Sequence, residues 1–204
     1  MKRILKYLFG TINLKLTFSK KGGNQVNAAI DASYMVHDST HGHTGIVVRM
    51  GSNLISSESK KQNLIAQSST EAEYMAMNSG VNNIIRTREL LDEMGFKQNC
   101  SIILQDNIST IFAAHKPGVS SKLKHMKLRE YHIKQNIDQG IIQLRYCPTD
   151  QMFADILTKP LNKKQFEILR DELMGGGNNV PSYFVIIKGI NGSRIFTFDD
   201  KNNQ

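Results

Sequence analysis

The order of turn signals and apolar segments is what most restricts the fold of this chain. "VNAAIDASYM", residues 26–35, reads as a strand buried on both faces, because it lacks a clean polar alternation. "TGIVVRMGSNLISSES" then reads as two strands joined at Gly51-Ser52-Asn53, where the turn chemistry is right for a hairpin. A long helix is expected from about Thr70 to Met94, closed by Gly95. "CSIILQ" is a fourth strand, "NISTIFAAH" a helix ended by Lys116-Pro117-Gly118, and residues 123–138 a further helix ended by Gly140. "IIQLRY" is the fifth strand, and "TDQMFADILTKPL" opens a last helix, interrupted at Pro160. Three strands, helix, strand, helices, strand, helix predicts an α/β sheet whose first three strands run antiparallel.

Two regions flank this pattern. The opening "MKRILKYLFG" reads as a short amphipathic helix, too short in its apolar part for a signal peptide, and "NLKLTFSKKGGNQ" as a short strand and basic turn. After "GGGNN", residues 175–179, "SYFVIIKGINGSRIFTFDD" reads as a hairpin turning at Asn191-Gly192. No apolar run approaches the roughly 20 residues that span a bilayer, so no membrane partner is expected. Cys100 and Cys147, the only two cysteines, exclude a disulfide framework or a cysteine-based zinc module, and point to thiols in a reducing compartment.

Net charge is +8, and it is clustered. The first thirty residues hold six Lys or Arg and no acid, and Lys116 to Lys134 holds six more against only Glu130. Such clustering fits a polyanionic partner, although solvated helix faces give the same pattern.

The acids in apolar company are more specific. In "AQSSTEAEYMAM", Glu71 and Glu73 lie about 200° apart on a helix and cannot share a face. With Ser68 as N-cap, Glu71 falls at the third helical position, where its carboxylate returns to the Ser68 N–H in a capping box. Glu73 shares its row with Met77, Gly80 and Ile84, the face expected to meet the sheet, where a carboxylate is costly unless something positive meets it. Asp31 interrupts a buried strand, Asp106 ends "IILQD", and Asp155 sits in "MFADIL". Taken singly, Asp106 reads as a helix N-cap, and Asp155 fits a surface position as well as one beside the apolar side of the last helix. Together, Asp31, Glu73, Asp106 and Asp155 can hold hard divalent cations through oxygen. His37, His41 and His43 beside Asp38 offer a weaker case, with no second group of ligands in the sequence.

The segments "DASYMVHDSTHGHTG", "KKQNLIAQSSTEAEYMAM", "LQDNIST", "KHMKLREYHI" and "YCPTDQMFADILTKPL" occur in this order, and over roughly residues 2–172 the chain resembles the ribonuclease H domain of copia-type LTR-retrotransposon polyproteins. "RILKYLFGTINLKLTF" is similar to the connection between polymerase and ribonuclease H in those proteins. The resemblance implies a ribonuclease H-like fold: a five-stranded mixed sheet with antiparallel first three strands, flanked by helices, here with a C-terminal hairpin appended. It implies Mg²⁺- or Mn²⁺-dependent cleavage of the RNA strand of an RNA–DNA hybrid. Two ions would be held by Asp31, Glu73, Asp106 and Asp155, with Asp31 as the bridging ligand. It also implies hybrid-backbone contacts from Lys124, His125 and Arg129, to which the charge pattern adds Lys122 and Lys127. Contacts of this kind position a duplex without reading its sequence.

The resulting division is residues 1–22 as the end of the connection, 23–174 as the ribonuclease H-like domain, and 175–204 as a linker and hairpin tail that matches nothing in the family. Departures qualify the expected activity. "RYCPTDQ" lacks the histidine that many cellular ribonucleases H carry before the last acidic helix, which implies slow turnover. There is no polymerase, integrase or protease segment, so the chain reads as a piece of a polyprotein, with a polymerase domain supplied in trans. The cytoplasm or retroelement particles are the expected location. The alternatives are a non-catalytic remnant that binds nucleic acid, and a nuclease of the same fold acting on DNA.

Overall fold

The computed structural model describes residues 2–20, 23–35, 38, 40–116, 118 and 124–175, without the side chains of Lys124 and His125. The elements are α1 (Lys2–Gly10), β1 (Val26–Ser33), β2 (His43–Met50), β3 (Asn53–Lys61), α2 (Ser69–Glu93), β4 (Ser101–Gln105), α3 (Ile108–His115), α4 (Lys124–Asp138), β5 (Ile142–Tyr146), α5 (Asp155–Thr158) and α6 (Lys163–Leu173). The strands form one sheet in the order β3-β2-β1-β4-β5. β1 pairs antiparallel with β2, and β2 with β3, while β1–β4 and β4–β5 are parallel. This is the expected five-stranded mixed sheet flanked by helices, and it is open.

Burial on both faces explains the weak alternation of β1. Val26, Ala28 and Ile30 join Met77, Ile84, Ile103, Met126 and Ile133 in a core beneath α2, α3 and α4. Ala29 and Val47 face the other way, against Met152, Phe153, Leu169 and Leu173. Asp31 has the same parity as Ala29 and therefore belongs to the second face. Two glycines set how closely helices approach the sheet beside it. A Cβ on Gly80 would run into Ile30 Cδ1, and one on Gly45 would lie 2.6 Å from Thr158 Cγ2 and 2.8 Å from the Ala154 carbonyl oxygen.

The hairpin turns at Gly51, whose φ of 59° suits glycine, and α2 is followed by Gly95 at φ 84°. Several local expectations need correction. Residues 14–18 form no strand; instead the Thr17 N–H donates to the Met174 carbonyl at 2.8 Å, tying this segment to the end of α6. Ser68 does cap α2, accepting from the Glu71 N–H at 3.2 Å, but the Glu71 carboxylate accepts from the Gln67 N–H at 2.8 Å rather than from Ser68. Asn107, not Asp106, caps α3, accepting from the Thr110 N–H at 3.0 Å. The expected last helix is three pieces: a 3₁₀ turn over Thr149–Gln151, the single turn α5, and α6 capped by Asn162. Pro160 explains the break after α5, since it pushes the preceding residue to extended backbone, and Lys159 sits at φ −144°, ψ 151°.

α1 buries none of its residues, and Tyr7 makes an edge contact with Phe166 of α6, ring centroids 5.9 Å apart. Among the described residues, no helix is long and apolar enough to cross a membrane. The expected C-terminal hairpin, His37 and Lys122 lie outside the described residues.

Candidate metal centre

Strand register brings the first two acids together. β1 and β4 pair in parallel with Ala29 opposite Leu104, and two residues further along this register Asp31 falls beside Asp106. Both lie at the carboxyl ends of adjacent parallel strands, at the point where the sheet switches direction toward β2. Crevices at such switch points are the usual ligand sites of open α/β sheets.

The third acid comes from α5, which is too short to be fixed by its own hydrogen bonds and is instead pinned to the sheet. Ser33 Oγ donates to the Thr158 carbonyl at 2.8 Å, and Ser59 Oγ donates to the Leu157 carbonyl at 2.7 Å. Thr158 Oγ1 donates to Asp31 Oδ2. With Gly45 allowing the close approach, Asp155 is brought onto the site. One carboxylate oxygen from each of Asp31, Asp106 and Asp155 lies within 4.8 Å of the others. Asp31 is 3% exposed and Asp155 1%, while Asp106 is only partly buried.

Glu73 is 5% exposed and stands outside that trio. Its Oε2 accepts from Gln105 Nε2 at 3.1 Å, and the backbone of Ala32 also bonds to it. Gln105 is wholly buried, and its Oε1 accepts from the N–H groups of Asp106, at 2.8 Å, and Asn107, at 3.2 Å. One amide side chain thus ties Glu73 to the backbone that carries Asp106. Thr149 Oγ1 donates to Asp106 Oδ2 at 3.0 Å.

The electrostatics follow from crowding like charges in a buried place. Burial, then the charges of Asp31 and Asp106, push the Glu73 carboxyl up to about 9. Burial is also the main reason that Asp106 and Asp155 are raised, with neighbouring carboxylates adding to it. The positive partner that the sequence left unnamed is Lys159. Its Nζ lies 2.9 Å from Asp155 Oδ1 and 3.8 Å from Asp31 Oδ2. Burial works against its charge, but the bond to Asp155 and the surrounding carboxylates raise its pKa overall.

This donor set suits a hard divalent cation: carboxylate oxygens only, convergent, and in want of positive charge. The chain itself fills that want with an ammonium between two of the three acids, so the residues fit the group that the resemblance implies. Asp31, Asp106 and Asp155 would hold it, with Glu73 within electrostatic reach. Among the described residues, this trio is the only group of three or more His, Cys, Asp or Glu side chains that could share an ion. His43 Nε2 instead pairs with Ser59 Oγ at 2.8 Å.

Three members of the site were not singled out from the sequence: Gln105, Thr158 and Lys159. The spacing from Asp155 to Lys159 is four residues, one helical turn, which was the available signal. Gln105 and Thr158 gave none, because a buried polar residue beside an acid does not announce its partner.

The basic cluster divides. Lys134 Nζ donates to the carbonyls of Lys116, at 2.8 Å, and Gly118, and so serves the loop before α4. His132 Nδ1 meets Asn78 Oδ1 at 3.0 Å, an internal contact to α2. Lys127 is exposed, and Arg129 lines a cleft that also contains Lys60 and Lys61. The side chains of Lys122, Lys124 and His125 lie outside the described structure.

Comparison with known proteins places these observations. No protein-family model matches the chain. Over 170 residues, 82% of this chain, it is 32% identical to the retrovirus-related Pol polyprotein from transposon RE1 of Arabidopsis thaliana. Over 184 residues, 88% of the chain, it is 29% identical to the corresponding polyprotein from transposon TNT 1-94 of Nicotiana tabacum. The chain spans only 12% and 13% of the lengths of these relatives. In fold it is similar to LC11-RNase H1, isolated from compost by a metagenomic approach, with TM-score 0.50 and 14% identity over 66% of this chain and 93% of that one. A structure of LC11-RNase H1 in complex with an RNA/DNA hybrid gives TM-score 0.51 at 14% identity, covering 66% of this chain and 94% of that one. The chain is a homologue of part of the copia-type retrovirus-related Pol polyproteins, and its fold is that of ribonuclease H domains.

Proposed function

We propose that this chain is a ribonuclease H that cleaves the RNA strand of RNA–DNA hybrids with two Mg²⁺ or Mn²⁺ ions. The observation that carries the reading is the convergence of Asp31, Asp106 and Asp155 at the carboxyl ends of β1 and β4. Asp31, which has both Asp106 and Asp155 within reach, would be the ligand shared between the ions. Asp106 and Asp155 complete the trio, and Glu73 supplies the fourth carboxylate. When bound, divalent ions held by these carboxylates would supply activation of a water and charge stabilisation for the leaving oxygen of a phosphodiester. The products are a 3′-hydroxyl and a 5′-phosphate. Lys122, Lys124, His125, Lys127 and Arg129 hold the hybrid backbone, and the RNA 2′-hydroxyl and hybrid geometry separate this substrate from duplex DNA.

In the same reading, residues 1–22 end a connection to a polymerase domain supplied in trans, 23–174 are the catalytic domain, 175–204 are an appendage, and the protein works in the cytoplasm or within retroelement particles. The absence of histidine from "RYCPTDQ" leads us to expect slow turnover. The test is hydrolysis of a labelled hybrid by the purified chain. Cleavage should need Mg²⁺ or Mn²⁺, vanish with EDTA, and be lost most completely in Asp31→Asn. A folded protein that binds hybrid but shows no Mn²⁺-dependent cleavage at high enzyme concentration would decide for a non-catalytic, nucleic-acid-binding remnant.

A further inference from the structure

Lys159 stands where the proposed function needs a metal. Its ammonium reaches Asp155 Oδ1 and Asp31 Oδ2 at 2.9 and 3.8 Å, while the two carboxylate side chains are 1% and 4% exposed and its own is 35% exposed. Two buried carboxylates this close need a cation for the fold to tolerate their charge, because desolvation and mutual repulsion both oppose it. The base of the lysine is fixed. Its N–H donates to the Asp155 carbonyl at 3.2 Å, and Pro160 holds it extended. The tip is not fixed in this way, since four methylenes and an open side allow the ammonium to swing into solvent.

We infer that Lys159 is a resident counter-ion of the carboxylate cluster, which assembles the site before metal arrives and which a divalent cation must displace. This rests on the metal-site reading above. The ammonium and a divalent ion seek the same oxygens of Asp31 and Asp155, and two cations a few ångströms apart in a partly buried site repel strongly. Metal affinity is therefore set by a competition inside the chain. Lys159 lowers the affinity of the site and, in exchange, keeps the metal-free protein folded.

The experiment is a calorimetric titration of the full chain with Mn²⁺, beside thermal melting in EDTA and in excess Mn²⁺, for the wild type, Lys159→Met and Lys159→Arg. Lys159→Met should bind Mn²⁺ about tenfold more tightly or better. It should melt lower than wild type in EDTA and gain more from Mn²⁺. Lys159→Arg, which keeps the charge, should stay within about threefold of wild type, on the same charge argument. If Lys159→Met is unfolded in EDTA, Mn²⁺ should refold it, and failure to do so would overturn the inference. A folded Lys159→Met that binds Mn²⁺ no tighter than wild type, or more weakly, would show that Lys159 does not compete with metal, and would leave the metal-site reading standing. A wild type that binds no Mn²⁺ at millimolar concentration would instead remove that reading itself.

Discussion

Gly45 stands opposite Asp31 across the β1–β2 ladder, and the space its missing side chain leaves is taken by Thr158 and Ala154. The cross-strand partner of one buried acid is thus the residue that lets the helix bearing another acid lie against the sheet. A methyl group at 45 would sit 2.6 Å from Thr158 Cγ2 and 2.8 Å from the Ala154 carbonyl oxygen, and backbone cannot give way as a flexible side chain can. Gly45→Ala should therefore cost about 1–3 kcal/mol, the usual range for overpacking, and weaken Mn²⁺ binding by moving Asp155. Denaturant melts and a Mn²⁺ titration read the two effects. Unchanged metal affinity would mean that α5 is not set by this contact.

The two glutamates at the start of α2 should separate by function. Glu73→Gln should remove metal-dependent hybrid cleavage with little loss of stability, because glutamine resembles the protonated acid that burial favours. Glu71→Gln should keep most activity, since its amide oxygen can still accept from the Gln67 N–H. Equal inactivation by both would end this division of labour.

Stability of the metal-free protein should fall as pH rises. The Glu73 carboxyl holds its proton to about 9 in the fold, against a reference value of 4.5. Between those values the folded state binds more protons than the unfolded chain, so the slope of unfolding free energy with pH is negative. Asp106 and Asp155 are raised too and act in the same direction. The melting temperature in EDTA should be higher at pH 5.5 than at 8.5, and Glu73→Gln should flatten the profile. A wild-type profile that rises over this range would contradict the assignment.

Gln105 should matter although it is wholly buried and offers nothing to a ligand directly. Its loss in Gln105→Leu leaves Glu73 without its amide donor and the N–H groups of Asp106 and Asn107 without their acceptor. Unmet buried groups cost about 1–3 kcal/mol each, so a loss of about 3 kcal/mol is expected, together with weaker metal binding. A change below about 1 kcal/mol in urea unfolding would show that water replaces the amide.

Hybrid binding should depend on salt. If Lys122, Lys124, Lys127 and Arg129 neutralise phosphates, each charge removed should lower the slope of log affinity against log salt by about 0.7 to 0.9. Lys134→Ala should leave that slope alone, because its ammonium is spent on the carbonyls of Lys116 and Gly118. Charge reversals at Lys127 and Arg129 that leave slope and affinity unchanged would return the cluster to plain solvation.

The element order was legible from the chain because turn residues and apolar periodicity are local. Gly51 and Gly95 stop a strand and a helix wherever the rest of the protein lies. Asp31 and Glu73 stood out for a related reason: a charge inside an apolar stretch is costly in any fold, so the sequence shows it must have a partner. The partner is another matter. Lys159 is 128 residues from Asp31, Thr158 is 127, and Gln105 is 32 from Glu73. Apart from the four-residue spacing of Asp155 and Lys159, nothing local distinguishes these from other lysines, threonines and glutamines. Even local capping shifted by one residue: Asn107 rather than Asp106 caps α3, and the Glu71 carboxylate accepts from the Gln67 N–H rather than the Ser68 N–H, because neighbouring groups compete on nearly equal terms. The sequence determined which residues carry charge that must be answered. Only the tertiary structure decided what answers it, since desolvation and Coulomb attraction depend on distances between segments that meet only when the sheet closes over them.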